Sequence, residues 1–156
     1  MVDETKIQSV LVEALRIAAT QLPADVVAAL KAARERETSP LGAAQLDAIL
    51  ENVDIAREGS IPMCQDTGIQ TFFVEMGAKS PFLGQVKPWI DAAVVDATTS
   101  IPLRPNTVDP FTGDNPGDNT GRFMPFVNWE MTEGDEIRIT VLPKGGGSEN
   151  MSTVKM

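Results

Sequence analysis

Apolar residues recur at Ile7, Val10, Leu11, Ala14, Leu15 and Ala18, the three-and-four spacing of one buried helix face. Pro23 interrupts that pattern and suits the first turn of a second helix running through Val26, Val27 and Leu30 into the charged KAARERE, residues 31–37. A third helix carries its own boundary signals. Ser39 can cap it, Pro40 fits its first position, and Leu46, Ile49, Leu50 and Val53 share one side. Gly59 stands where a left-handed terminator belongs. After Gly59 the period changes. In TFFVEM, Phe72, Val74 and Met76 alternate with Thr71, Phe73 and Glu75, and the run of large apolar neighbours predicts a strand covered on both faces.

Helical spacing returns in VKPWIDAAVVDATTS through Val86, Ile90, Ala93, Val94 and Ala97. PFVNWEM and EIRITVL read as two further strands, joined through TEGD as a hairpin. Between them and the helix, residues 101–121 are rich in proline, glycine and asparagine and predict a loop too long for an idle connector. The predicted fold class is α+β, a helical N-terminal layer packed on a mixed, largely antiparallel sheet. One domain covers 1–156, helical over 1–60 and mixed over 61–156.

Composition agrees with this picture: 156 residues with 42% apolar and 22% charged side chains suit a soluble globular domain with a core. No apolar run approaches the roughly eighteen residues that read as a membrane span, and MVDETKIQSV lacks the basic-then-apolar plan of a signal peptide. A single cysteine points to a reducing compartment, with cytoplasm the default. The net charge of -9 argues against nucleic acid as a partner. It also means that any anionic ligand needs local cations to reverse the overall field. With no histidine, neither a Ser-His-Asp nor a Cys-His arrangement can be built within the chain. Acid-base work falls to carboxylates, hydroxyls, lysine, a metal, or residues outside this sequence.

Four stretches could carry chemistry. Cys64, in PMCQDTG, reads either as a small buried hydrophobe or as a nucleophile or metal ligand on a rigid turn. Adjacent Asp66 would raise a nucleophile's pKa, whereas a soft metal deprotonates the sulfur by itself. Arg104, between Pro102 and Pro105, is either a surface arginine or a pre-organised grip for a carboxylate. GDNPGDNTG, residues 113–121, lacks the final glutamate of an EF-hand loop, whether counted from Asp109 or Asp114, and is better explained by Asn and Asp turn formation. PKGGGSEN, residues 143–150, is either a flexible loop or a set of backbone N–H groups that can converge on an anion beside Lys144. It is not a Walker loop, because the lysine precedes the glycines.

Taken in order, PMCQDTG, the LR of IPLRPN, GDNTG and KGGGSEN resemble the class I, iron–sulfur-dependent fumarases and the similar L-tartrate dehydratases. The resemblance is to the N-terminal part of their α subunit or α-like domain. It implies a hydro-lyase converting fumarate to malate reversibly, or acting on L-tartrate. Cys64 resembles the first of three thiolates holding a 4Fe–4S cluster whose fourth iron stays open as a Lewis acid. Gln65 and Asp66 resemble the substrate-contacting pair, with Asp66 a candidate for proton transfer. Arg104 matches the arginine that binds a substrate carboxylate, and Gly147 matches the backbone wall approaching the substrate. Two further cysteines, more basic residues and a catalytic hydroxyl come in the family from the later α region and the β domain or subunit. The resemblance therefore implies that this segment is the N-terminal portion of a longer assembly, inactive alone, and that the assembly is oligomeric. Two other readings stand beside it: a non-catalytic subunit that keeps only the fold, and an anion-binding module using KGGGS for phosphate.

Overall fold

The computed structural model describes residues 4–67, 69–145, 147 and 153. Helix α1, Glu4–Thr20, buries Leu11 and Leu15, two of the residues that the periodicity puts on one face. Helix α2, Ala24–Arg36, begins one residue later than expected, with Pro23 as the extended residue before it. Helix α3, Pro40–Gly59, has the predicted start: the Ser39 hydroxyl accepts from the Gly42 N–H, and Pro40 needs no donor there. Its end differs. Gly59 remains helical and Ser60 takes the left-handed conformation, with φ 49°.

Burial is uneven among these helices. None of the residues of α2 is buried, and α3 buries only Val53 and Ala56. Instead α2 and α3 lean mainly on each other, while α1 packs against α4, Val86–Ser100, and the sheet. Helix α4 supplies much of the core: Val86, Ile90, Ala93, Val94 and Ala97 are all fully buried. They meet Phe72, Val74 and Met76 of strand β1, Ile69–Gly77. Each such large aliphatic side chain stabilises the fold by roughly 1.5–3 kcal/mol.

The fold is α+β, and its sheet is mixed, with the order β2-β1-β3. Strand β2, Phe126–Thr132, runs parallel to β1, and β3, Ile137–Lys144, runs antiparallel to it. This corrects the expected hairpin, because β2 and β3 flank β1 instead of pairing. The turn between them crosses the end of β1, where Gly77 N–H donates to Glu136 O at 2.8 Å and Lys79 N–H to Gly134 O at 2.7 Å. A Cβ at Gly77 would lie 2.6 Å from Gly134 O, so glycine is what lets the turn pass. The expectation that β1 is covered on both faces is also corrected. Phe72, Val74 and Met76 face the helices, but Phe73 on the other side is 44% exposed. Phe126 and Leu142, both paired with Thr71, share that open face and are also exposed. Among the described residues, no helix is long and apolar enough to cross a membrane.

Candidate functional site

The start of β1, the start of β2 and the end of β3 lie together at one end of the sheet. The residues singled out in the sequence gather there. Cys64 sits on a bend between α3 and β1, and its neighbour Met63 is held on both sides. The Met63 N–H donates to Ala19 O of α1 at 3.1 Å, and its carbonyl accepts from Asn52 Nδ2 of α3 at 2.9 Å. Two helices thus fix the bend and present the thiol, which is exposed. Within this chain Cys64 is not part of the hydrophobic core.

Asp66 is half-buried, and both of its carboxylate oxygens accept hydrogen bonds. Asn106 Nδ2 donates to Oδ1 and the Gly147 N–H donates to Oδ2, each at 3.1 Å. A Cβ at Gly145 would lie 3.1 Å from Oδ2, tighter than ordinary contact, so glycine allows the exit of β3 to press against this carboxylate. The N–H of Gly147 is therefore engaged by an anion of the chain itself. Gly68, Gly146, Ser148, Glu149 and Asn150 lie outside the described residues.

Arg104 is anchored through its backbone. Its N–H donates to Thr67 Oγ1 at 2.8 Å, and its carbonyl accepts from Asn119 Nδ2 at 3.1 Å. The Thr67 hydroxyl also approaches that carbonyl, at 3.3 Å. The guanidinium side is exposed, and Arg104 enters no salt bridge among the described residues. Fixed backbone and exposed cation together suit the capture of a carboxylate in two bonds.

The Asp109–Gly121 loop follows turn chemistry, as its composition suggests. Asp109 Oδ1 accepts from the N–H groups of Phe111 and Thr112, and Asn115 Oδ1 accepts from that of Gly117. Asp118 Oδ1 accepts from both the N–H and the hydroxyl of Thr120. Backbone bonds from Phe111 and then Thr112 hold the Asp109 carboxyl below its ordinary range, with Arg122 adding to them. The Thr120 hydroxyl and N–H do the same for Asp118.

Two clefts meet at the thiol. One, of about 340 Å³, is lined by Ala19, Cys64, Asp66, Thr67 and Gly145 among others. The second, of about 370 Å³, is lined by Cys64, Gln65, Thr67, Pro102 and Arg104 among others. Both volumes fall in the range of small-molecule sites. A larger groove of about 610 Å³ lies between α1, α4 and β3, but it is apolar, with only Lys6 and Asp135 as charged lining residues. Cys64, Gln65, Asp66 and Arg104 are thus brought to adjoining walls, with Gly147 reaching Asp66. Sequence reasoning missed Thr67 and Asn106, whose signal was nearness in sequence to Asp66 and to Arg104; Gly145 belongs to the glycine run that the sequence reading singles out.

As a metal site, this arrangement offers one soft ligand. An exposed thiol on a braced bend, bordering two clefts, fits a single corner of an iron–sulfur cluster. Among the described residues, no group of three His, Cys, Asp or Glu side chains converges to hold a metal alone.

Residues 8–156 match the sequence profile of the family described as Fumarate hydratase (Fumerase). The chain belongs to that family. Its relatives include the "Putative L(+)-tartrate dehydratase subunit alpha" of Methanocaldococcus jannaschii, 44% identical over 155 residues, which cover 97% of this chain and 54% of the relative. The L(+)-tartrate dehydratase subunit alpha of Escherichia coli K12 is 36% identical over 143 residues, 91% of this chain and 47% of its own length. The "Putative fumarate hydratase class I" of Geobacillus stearothermophilus is 42% identical over 132 residues, 84% of this chain and 26% of its own. The Fumerase-family chain thus spans about half the length of the tartrate dehydratase relatives and about a quarter of the fumarate hydratase relative. These relatives are named as tartrate dehydratases and a fumarate hydratase, the first two as alpha subunits.

Proposed function

We propose that the chain is the N-terminal α part of an iron–sulfur hydro-lyase that interconverts fumarate and malate. The observation that carries this reading is the meeting of Cys64, Asp66 and Arg104 on two adjoining clefts in a chain of net charge -9. Arg104 binds one substrate carboxylate and offsets the charge that builds on it during reaction. Gln65 and the backbone at Gly147 contact the substrate beside it. Asp66, oriented through Asn106 and Gly147, carries the proton that joins carbon in hydration and leaves carbon in dehydration. Cys64 supplies one of three thiolates to a 4Fe–4S cluster, which when bound adds Lewis-acid chemistry at an iron the protein leaves open.

Two further thiolates, additional basic residues and a hydroxyl come from the remainder of the α region and from a β domain or subunit. The exposed Phe73, Phe126 and Leu142 offer such polypeptide an apolar face to cover. The assembly is oligomeric and cytoplasmic, as the lone thiol suits a reducing compartment. A second substrate, L-tartrate, is favoured by the names of the Methanocaldococcus and Escherichia relatives. The test is anaerobic assay of the complete enzyme containing this chain, with fumarate, L-malate and L-tartrate in parallel. Turnover of fumarate above tartrate supports the first reading, and the reverse supports the second. Turnover of none of the three overturns both. The 156-residue chain alone is expected to be inactive after treatment with iron and sulfide.

A further inference from the structure

Residues 101–121 hold the site's cation, yet they have neither helix nor ladder to hold them; only Gly121 bridges to Met124. Something else must fix Arg104 relative to Asp66. Asn119 is 1% exposed, and its amide is used at both ends. Its Oδ1 accepts from the Asn106 N–H at 2.8 Å, while its Nδ2 donates to Arg104 O at 3.1 Å and to Thr98 Oγ1 at 3.2 Å. Thr98 belongs to α4, and its own hydroxyl lies 2.7 Å from Val94 O and 3.0 Å from Asp118 O. One buried amide therefore ties the loop to the helix that forms most of the core.

From Asn119 two routes run into the site. Through the Asn106 backbone it reaches the side chain that donates to Asp66 Oδ1. Through the Arg104 carbonyl it reaches the backbone of the cation, whose N–H is held by Thr67, the neighbour of Asp66. Among the described residues, no other side chain bonds to both Arg104 and Asn106. Asn119 has φ 61°, in the left-handed region that asparagine and glycine both adopt, so a glycine variant keeps the backbone conformation.

The geometry points to Asn119 as the positioning residue that sets Arg104 against Asp66, a role that rests on the hydro-lyase reading above. Aspartate at this position keeps the acceptor for Asn106 but loses the donors to Arg104 and Thr98. Glycine keeps the backbone conformation and loses both. Amide hydrogen exchange on the full chain separates the routes. In Asn119→Gly, the amides of Asn106 and Arg104 both exchange about tenfold faster or more. In Asn119→Asp, the Asn106 amide stays near its original rate and Arg104 accelerates.

A residue that merely closes its own turn would release Asn106 alone; an unchanged Arg104 amide in Asn119→Gly would overturn the proposal. Thr98→Val, which leaves the loop sequence intact, also accelerates Arg104 and serves if the glycine variant fails to fold. In the complete enzyme, Asn119→Asp raises KM for the dicarboxylate about tenfold and lowers kcat less. A fall in kcat with KM unmoved would contradict it. Lack of turnover in the unaltered complete enzyme would overturn the hydro-lyase reading alone, because the exchange rates decide on Asn119 without it.

Discussion

The core layer and the site loops are stabilised by different physics in one small chain. Phe72, Val74 and Met76 of β1, with Ile90, Ala93 and Val94 of α4, are buried by shape and apolar area, and no polar group is needed among them. At the head of the sheet the chain leaves regular structure. There the side chains of Thr67 and Asn119 hold the backbone of Arg104 and Asn106 through individual bonds of 2.8 to 3.3 Å. Burial is forgiving of direction, whereas these bonds are not. The core should therefore answer to volume, and the site to individual polar atoms.

The largest effect on stability is expected in the core. Ile90→Ala, at a fully buried position, should cost about 2–5 kcal/mol in urea unfolding. A cost near that of a surface change would show that the layer is not the core. Thr67→Val should cost less, about 1–3 kcal/mol, because the Arg104 N–H loses its acceptor. In the complete enzyme it should nonetheless raise KM for the dicarboxylate more than Ile90→Val does. Gly145→Ala should be milder still for folding, within about 1 kcal/mol. A methyl 3.1 Å from Asp66 Oδ2 must displace that carboxylate, so kcat should fall all the same.

The smallest effect concerns pH. Asp109 and Asp118 have lowered folded-state values, so their contribution is fully present above the ordinary carboxylate range. It disappears as the pH falls through the lowered values, and stability rises with pH across that window. Protection of the Phe111, Thr112 and Thr120 amides, corrected for the intrinsic slowing of exchange in acid, should fall on acidification before that of the α4 amides does. Simultaneous loosening of both would break the distinction between core and loops.

The same contrast explains what could be read from the sequence. Helices α1, α3 and α4 are written in local periodicity and caps, and α4 runs over the residues its spacing predicts. Strand order is not local. A four-residue turn reads alike whether it closes a hairpin or crosses a third strand, and the clue lay far away, in Gly77. Open faces are equally illegible, since Phe73 reads as buried whether or not anything covers it. At the site, Cys64, Gln65 and Asp66 are adjacent in sequence and stood out as a motif. The bonds that orient Asp66 join residues 40 and 81 apart, and Asn106 and Asn119 looked like ordinary turn formers.

The central claim is that the exposed sulfur of Cys64 anchors one corner of an iron–sulfur cluster beside Asp66 and Arg104. Iron content and visible absorbance of the complete enzyme, purified without oxygen with and without Cys64→Ser, test it most directly. The expected result is a brown, iron-containing unaltered enzyme and a variant that keeps its fold but loses colour, iron and dicarboxylate turnover. A variant that stays brown and active would contradict the account.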